Sequence, residues 1–377
     1  MSEPAAPKLG FGMMRLPIAG GEDRFTGEID VPQVCEMVDA YLDAGYDYFD
    51  TAYMYHRGKS ETVAKEALSR RHPRHSYQFA TKLPPWMAKS VSDCDRIFAE
   101  QLERTGAEYF DAYLLHSVEE GVRVETVESL RLVEWGARLR REGRIRSFGF
   151  SFHGTPELLE SFLEKHRGAF DFAQIQLNYA DWRSPLAQSE KLYAALIRHR
   201  LPIYVMEPVK GGMLAGTTSE LEARMRGLRP NDSIAAWALR FAATLPGVHT
   251  VLSGMSNLAQ LRDNLRTFRS LEPLSDAERA LLSEVVAAMA SKGAAPCTRC
   301  GYCEGDCPKK IRIPDVIKAL NALRLYGDDM RTRLFYGNLG GGRAKDCIRC
   351  GQCEKSCPQH LPVTDLMSEA SAGLDRV

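Results

Sequence analysis

Short apolar runs alternate with longer stretches whose apolar residues recur every three or four positions. The short runs predict strands at Lys8–Gly12, Tyr46–Asp50, Tyr77–Lys82, Phe110–His116, Ile145–Ser151, Phe172–Asn178, Pro202–Glu207 and His249–Gly254. Between them VPQVCEMVDAYLDAG, SETVAKEALSR, SDCDRIFAEQLERTG and VESLRLVEWGARLRREG carry the helical period. TPELLESFLEKHRG, LAQSEKLYAALIRHR, DSIAAWALRFAATLPG and NLAQLRDNLRTF continue it. Eight strand-then-helix units predict an α/β fold, a (β/α)8 TIM barrel over residues 1–290. The alternative is a doubly wound sheet, but no G-x-G-x-x-G follows the first strand. LSDAERALLSEVVAAMASKGAAP then reads as a capping helix and linker. Residues 291–377 form a second, small domain, with a helix over IPDVIKALNALRLYG and a turn over GNLGGGRAKD.

That small domain holds eight of the ten cysteines. Cys297, Cys300, Cys303 and Cys307 stand at C-x2-C-x2-C-x3-C before Pro308. Cys347, Cys350, Cys353 and Cys357 repeat the spacing before Pro358. The doubled run resembles the bacterial ferredoxin signature, which implies two [4Fe–4S] clusters on a ferredoxin-like fold. The fourth cysteine of each run crosses over in such proteins. The resemblance therefore assigns Cys297, Cys300, Cys303 and Cys357 to one cluster and Cys347, Cys350, Cys353 and Cys307 to the other. Zinc would use C-x-x-C pairs but does not account for the third and fourth cysteines at these spacings. Gly301 and Gly351 let the backbone wrap closely, so that amides can donate to sulfur.

Composition narrows the picture. The 377 residues carry 49 Lys and Arg against 49 Asp and Glu, so no nucleic-acid partner is implied. No apolar run approaches the ~18 residues of a membrane helix. MSEPAAPKLG has neither a charged n-region nor an apolar h-region, which argues against disulfides and for a reducing cytoplasm. Cys35 and Cys94 lie on amphipathic stripes and read as core cysteines.

A barrel places its chemistry at the C-terminal ends of its strands. Asp50 ends the second strand, Tyr55 follows in its loop, Lys82 ends the third and His116 ends the fourth. Tyrosine ordinarily titrates near ~10, too high for easy proton exchange at neutral pH. A buried lysine fixed by an aspartate is expected to bring that value down, making Tyr55 an acid–base group. His116 can steer a substrate oxygen toward it. His56 and His153 lie close to the same rim.

FDTAYMYHRGKSE, ATKL and YLLH, set on this barrel, resemble the aldo/keto reductase family over residues 8–290. The whole chain is similar to the subgroup with a C-terminal two-cluster ferredoxin module. The resemblance implies NAD(P)H-dependent reduction of a small carbonyl substrate by Asp50, Tyr55, Lys82 and His116. It implies that Ser151 and Gln174 hold the nicotinamide carboxamide. Gly254, Ser256, Gln260 and Asn264 would hold the phosphates and adenosine, with free amides near Ser256 and Asn257. Four positions depart from the family. Phe152 replaces an Asn, Met206 stands where an aromatic ring stacks on the nicotinamide, and Gly254 and Gln260 stand where basic residues meet a 2′-phosphate. Cofactor identity therefore stays open between NADP, NAD and a flavin, and a flavin converts two-electron to one-electron chemistry. Three functions compete: an oxidoreductase that couples the barrel to the clusters and to a redox partner protein; a carbonyl reductase with structural or redox-sensing clusters; and a nucleotide-binding sensor without turnover.

Overall fold

The computed structural model describes residues 8–21, 27–119, 121–184, 187–291, 293, 295, 297, 302–328, 330–357 and 361–375. The chain divides into two compact units, Met1–Glu278 and Arg279–Val377. The division falls inside the helix Asp276–Ala290, twelve residues before the boundary read from the sequence.

The first unit is a closed barrel of eight parallel strands in sequential order. These are β1 (Lys8–Gly12), β2 (Tyr48–Asp50), β3 (Gln78–Leu83), β4 (Phe110–Val118), β5 (Ile145–Phe152), β6 (Phe172–Gln176), β7 (Ile203–Met206) and β8 (Val248–Gly254). Every strand expected from the sequence is present. β6 and β7 end early for local reasons. Asn178 folds back so that its Oδ1 accepts from Asp181 N at 2.8 Å, and Glu207 takes a left-handed φ of 54°. Both conformations leave the ladder.

Side chains fill the barrel. Tyr48, Ala80, Ala112, Leu114, Phe172, Tyr204 and Leu252 form one buried cluster. Phe172 and Tyr204 pack with centroids 4.4 Å apart. A larger residue at Gly10 would run into Leu252, Thr250 and Tyr48. The interior is thus a core rather than a pore. An outer aromatic layer of Phe98, Phe110, Tyr113 and Trp135 joins helices to strands.

Capping explains several helix starts. Ser90 and Asp93 form a reciprocal capping box ahead of Val91–Thr105, and Thr155, Ser233 and Asn257 cap later helices. Two features differ from the expected pattern. VESLRLVEWGARLRREG breaks into Val122–Ser129 and Leu132–Arg141, because Arg131 sits at φ 52°. An additional helix, Ser219–Leu228, follows β7.

In the second unit Ile313–Tyr326 packs on Val363–Leu374 around Ile313, Val316, Leu320, Leu366 and Met367. Cys303 and Cys353 are buried in the same core, with Cys297, Cys307, Cys347 and Cys357 packed against it. A helix, Met330–Gly337, precedes the expected turn. Among the described residues no helix is long and apolar enough to cross a membrane.

One glycine gives a direct check of the helix–sheet fit. A Cβ on Gly136, in the helix Leu132–Arg141, would overlap the Phe148 ring of β5. Gly136→Ala is expected to destabilise the barrel by ~1–3 kcal/mol in urea unfolding. Unchanged stability would contradict this packing.

Candidate functional site

The β2–β3 register brings two polar strand ends together. Asp50 pairs with Ala80, two residues before Lys82. Lys82 Nζ donates to Asp50 Oδ1 at 2.6 Å and to Thr51 O at 2.7 Å. Lys82 is fully buried and Asp50 is 3% exposed. Burial pulls the Lys82 ammonium down, but the charges of Asp50 and Tyr55 more than reverse this. Lys82 therefore stays charged.

Tyr55 enters on a tight turn, Tyr55–Gly58, in which His56 and Arg57 both have positive φ. His56 is structural: its Nε2 accepts from Leu16 N at 3.2 Å and ties this turn to the loop after β1. Lys82 Nζ lies 4.9 Å from the Tyr55 ring centroid. His116 meets Tyr55 edge-on at 6.0 Å. All four expected residues thus converge at the C-terminal mouth of the barrel.

The electrostatics differ from expectation at Tyr55. Burial pushes its phenol above the ordinary 10.0, and the Lys82 charge and hydrogen bond pull it only part of the way back. The phenol is held protonated. His116 is pulled well below its usual 6.5, first by burial and then by the Lys82 charge, so its imidazole is neutral. His153 is close enough for its charge to add to this.

Behind Lys82 lies a buried network with no role in the expected set. Glu61 Oε1 accepts from Thr81 Oγ1 and Gln101 Nε2, both at 2.8 Å. Gln101 Nε2 also donates to Lys82 O at 3.0 Å, and its Oε1 accepts from Tyr113 at 2.6 Å. The network fixes the Lys82 peptide. Glu61 closes the FDTAYMYHRGKSE motif, which was the signal available for it. Trp86 was also missed. It packs on His116 at 5.3 Å and is covered by Arg123 at 4.4 Å. A third group joins the loops after β6 and β7: Lys210 Nζ donates to Asp181 Oδ1 at 2.8 Å, both residues being buried.

Ser151 and Gln174 stand side by side in register on β5 and β6. Ser151 Oγ accepts from Ser117 N at 2.7 Å. Gln174 Nε2 donates to Met206 Sδ at 3.5 Å, which explains how a thioether seats here. Gln174 Oε1, His116 Nδ1 and Asp50 Oδ2 are buried with no hydrogen-bond partner among the described residues. Such atoms fit a polar ligand that supplies the partners. Phe152 is buried against Phe150 and offers no polar atom.

The expected free amides after β8 are partly engaged. Ser256 N donates to Gln260 Oε1 at 2.8 Å, and Gln260 N donates to Asn257 Oδ1 at 2.9 Å. Asn264 is buried and donates to Ser253 Oγ at 2.8 Å. A Cβ on Gly254 would crowd the Arg15 side chain, which reaches this strand end from the loop after β1, and Ser256 Oγ donates to Arg15 O at 2.9 Å. The core reading of Cys94 agrees with its burial, which pushes the thiol up to about 12. Cys35 is half-buried, and its thiol is also raised by burial.

In the second unit Cys307, Cys347, Cys350 and Cys353 line one cavity together with Pro308, Ile311, Ile348, Gly351 and Met367. This is the crossed-over set expected for one cluster. Four thiols facing one cavity are the donor set that an iron–sulfur cluster takes. Among the described residues no three His, Cys, Asp or Glu side chains gather tightly enough for a single metal ion. Ile311 N donates to Cys307 Sγ at 3.5 Å, and Gly351 has φ 73°, as wrapping requires. Of the other set, Cys297, Cys303 and Cys357 pack on the same core, while Cys300 lies outside the described residues.

Comparison with known proteins agrees with this geometry. Residues 8–287 match the family model described as "Aldo/keto reductase family", and residues 296–361 match one described as "4Fe-4S dicluster domain". The chain belongs to the aldo/keto reductase family and is an oxidoreductase of that family. It is 25% identical over 321 residues to the NADH-specific methylglyoxal reductase of Escherichia coli, covering 72% of this chain and 92% of that one. It is 24% identical over 280 residues to the uncharacterized oxidoreductase YqkF of Bacillus subtilis, covering 66% and 86%. Against human aflatoxin B1 aldehyde reductase member 2 it is 28% identical over 191 residues, spanning only about half of that protein, 52%. A crystal structure of an aldo-keto reductase from Klebsiella pneumoniae in complex with NADPH shares the fold, with TM-score 0.59, 23% identity and coverage of 74% and 91%.

The neutral His116 sets a sign for acid stability. Below pH 6.5 the unfolded chain binds a proton that the folded site excludes, so stability falls as pH drops from about 7 toward 5. One group contributes at most ~1.4 kcal/mol per pH unit. His116→Asn is expected to flatten this slope in urea unfolding at pH 7, 6 and 5; an unchanged slope would contradict the neutral assignment.

Proposed function

We propose that the barrel site transfers hydride between NAD(P)H and a small carbonyl compound, and that two [4Fe–4S] clusters in the second unit give the protein a one-electron channel. The observation that carries the barrel reading is the Lys82 ammonium, fixed by Asp50 at 2.6 Å and facing the Tyr55 ring at 4.9 Å. A bound nicotinamide would supply the hydride. Ser151 and the unpartnered Gln174 Oε1 suit its carboxamide. Gly254, Ser256 and Gln260 would hold its phosphates and Met206 would pack on its ring, while Asn264 braces the strand end through Ser253.

Neutral His116 donates an N–H to the carbonyl oxygen and orients it. Tyr55 delivers the proton to that oxygen. Burial keeps the phenol protonated until then, and the Lys82 charge stabilises the phenolate left behind. Asp50 prevents Lys82 from leaving. The E. coli and human relatives are named for reducing methylglyoxal and aflatoxin B1 aldehyde, which supports aldehydes as the substrate class.

Cys307, Cys347, Cys350 and Cys353 suit one cluster, and Cys297, Cys300, Cys303 and Cys357 the other. A cluster takes one electron where a nicotinamide gives two, so a flavin is the converter proposed between them.

Tyr55→Phe is expected to lower aldehyde reduction by ~10²-fold or more while NAD(P)H binding, followed by fluorescence, stays unchanged. Because the phenol titrates above 10.0, the reductive kcat of the unaltered protein is expected to stay flat from pH 7 to 9. Full activity in the variant would refute the role of Tyr55.

A further inference from the structure

Arg15, on the loop after β1, has no role in the reaction proposed for the barrel. Its backbone is tied on two sides. Ser256 Oγ donates to Arg15 O at 2.9 Å, and the neighbouring Leu16 N donates to His56 Nε2 at 3.2 Å. The side chain then crosses the end of the adjacent strand, where Gly12 of β1 pairs with Gly254 of β8. A Cβ on Gly254 would lie 3.1 Å from Arg15 Cβ and Cγ and 3.0 Å from Cδ. The guanidinium ends over the next loop round the barrel. A Cβ on Gly211, in the turn Lys210–Ala215 after β7, would lie 2.7 Å from Arg15 Nη2. Since β8 stands between β7 and β1, Arg15 straps three successive strand ends.

Two glycines make room for this strap. A side chain at Gly254 would displace the Arg15 stem. Gly211 has φ 67°, so a Cβ there would be strained as well as crowded. Arg15 is half-buried, and among the described residues its guanidinium has no ion-pair or hydrogen-bond partner. A guanidinium keeps its charge in such a place. The other polar groups of these loops are engaged. Lys210 Nζ donates to both carboxylate oxygens of Asp181, at 2.8 and 3.0 Å, so that pair carries no net charge. Glu222 Oε1 accepts from Thr217 N at 3.1 Å, and its Oε2 lies 3.9 Å from Arg226. Glu207 keeps its charge, and that charge acts on Tyr55. Gln260 Oε1 takes the Ser256 amide.

We propose that Arg15 binds the diphosphate of the nicotinamide dinucleotide and sets the affinity for NADH and NADPH alike. The inference rests on the dinucleotide reading of the barrel site. A planar guanidinium fork meets two phosphate oxygens at once. Its placement decides which phosphate it takes. The nicotinamide would pack on Met206 at the end of β7, and the adenosine would lie by the helix Leu258–Arg269 that follows β8. The diphosphate that joins them must cross the ends of β7 and β8, and the Arg15 strap crosses the same two ends. A 2′-phosphate would lie on the far side of Gly254, toward Gln260, while the Arg15 head lies on the Gly211 side.

The test is a fluorescence titration of the full-length protein, purified without oxygen, with NADH and with NADPH. Arg15→Met keeps the stem over Gly254 and removes the charge. It is expected to raise Kd for both nucleotides by a similar factor, ~10-fold or more, with the urea midpoint unchanged. Arg15→Lys keeps the charge without the fork and is expected to fall between Arg15→Met and the parent. The parent Kd is expected to rise with salt more steeply than that of Arg15→Met. A loss confined to NADPH overturns the inference, since the guanidinium then meets the 2′-phosphate. Unchanged affinity for both nucleotides also overturns it and leaves Arg15 as packing for Gly254. Should Arg15→Met fail to fold, Arg15→Lys decides in its place, and a parent Kd indifferent to salt overturns the inference. A parent protein that binds neither nucleotide would instead sink the dinucleotide reading itself.

Discussion

The ion pair between Lys82 and Asp50 is the constraint on which the barrel site depends. An ammonium taken wholly out of water costs several kcal/mol unless it is paired and hydrogen-bonded. Here it has a carboxylate at 2.6 Å and a carbonyl at 2.7 Å, and both partners come from the end of one neighbouring strand. The barrel register sets the Lys82 backbone, and the Glu61, Thr81, Gln101 and Tyr113 network pins its peptide from behind. With the charge so fixed, the field at Tyr55 and His116 is fixed too. The neutral imidazole follows from burial together with that charge, and the protonated phenol follows from burial, which outweighs it.

The phenol shows where simple reasoning from charge misleads. A lysine beside a tyrosine suggests a lowered pKa, and the Lys82 contribution has that sign. Desolvation of the phenolate is larger. In the proposed reduction the group holds a proton until the substrate oxygen needs it, so a raised value suits that chemistry. In the same proposed step the lysine acts after proton transfer, on the anion left behind.

Much of this arrangement was legible in the sequence because it is local. Eight strands show as short apolar runs, and Asp50, Lys82 and His116 sit at their ends. The ferredoxin resemblance likewise implies that Cys307 belongs with the second run, and Cys307, Cys347, Cys350 and Cys353 line one cavity. What was not legible depends on residues far apart in the chain. Trp86 reaches His116 across thirty residues, and Asp181 meets Lys210 across 29. Arg131 breaks a helix whose apolar stripe reads as continuous, since a left-handed residue leaves no mark on periodicity. The amides after β8 look free in sequence because the side chains of Gln260 and Asn257 turn back on them only in three dimensions.

Under the proposed function the two units carry chemistries with different electron counts. A hydride site works in pairs of electrons, and a [4Fe–4S] cluster works one at a time. The most direct test is an anaerobic titration of the cluster-loaded protein with NADH and NADPH, with and without added flavin, followed by EPR of the reduced clusters. The account predicts that at least one nucleotide brings up the reduced-cluster signal. Clusters that stay oxidised under both nucleotides, with or without flavin, would contradict it.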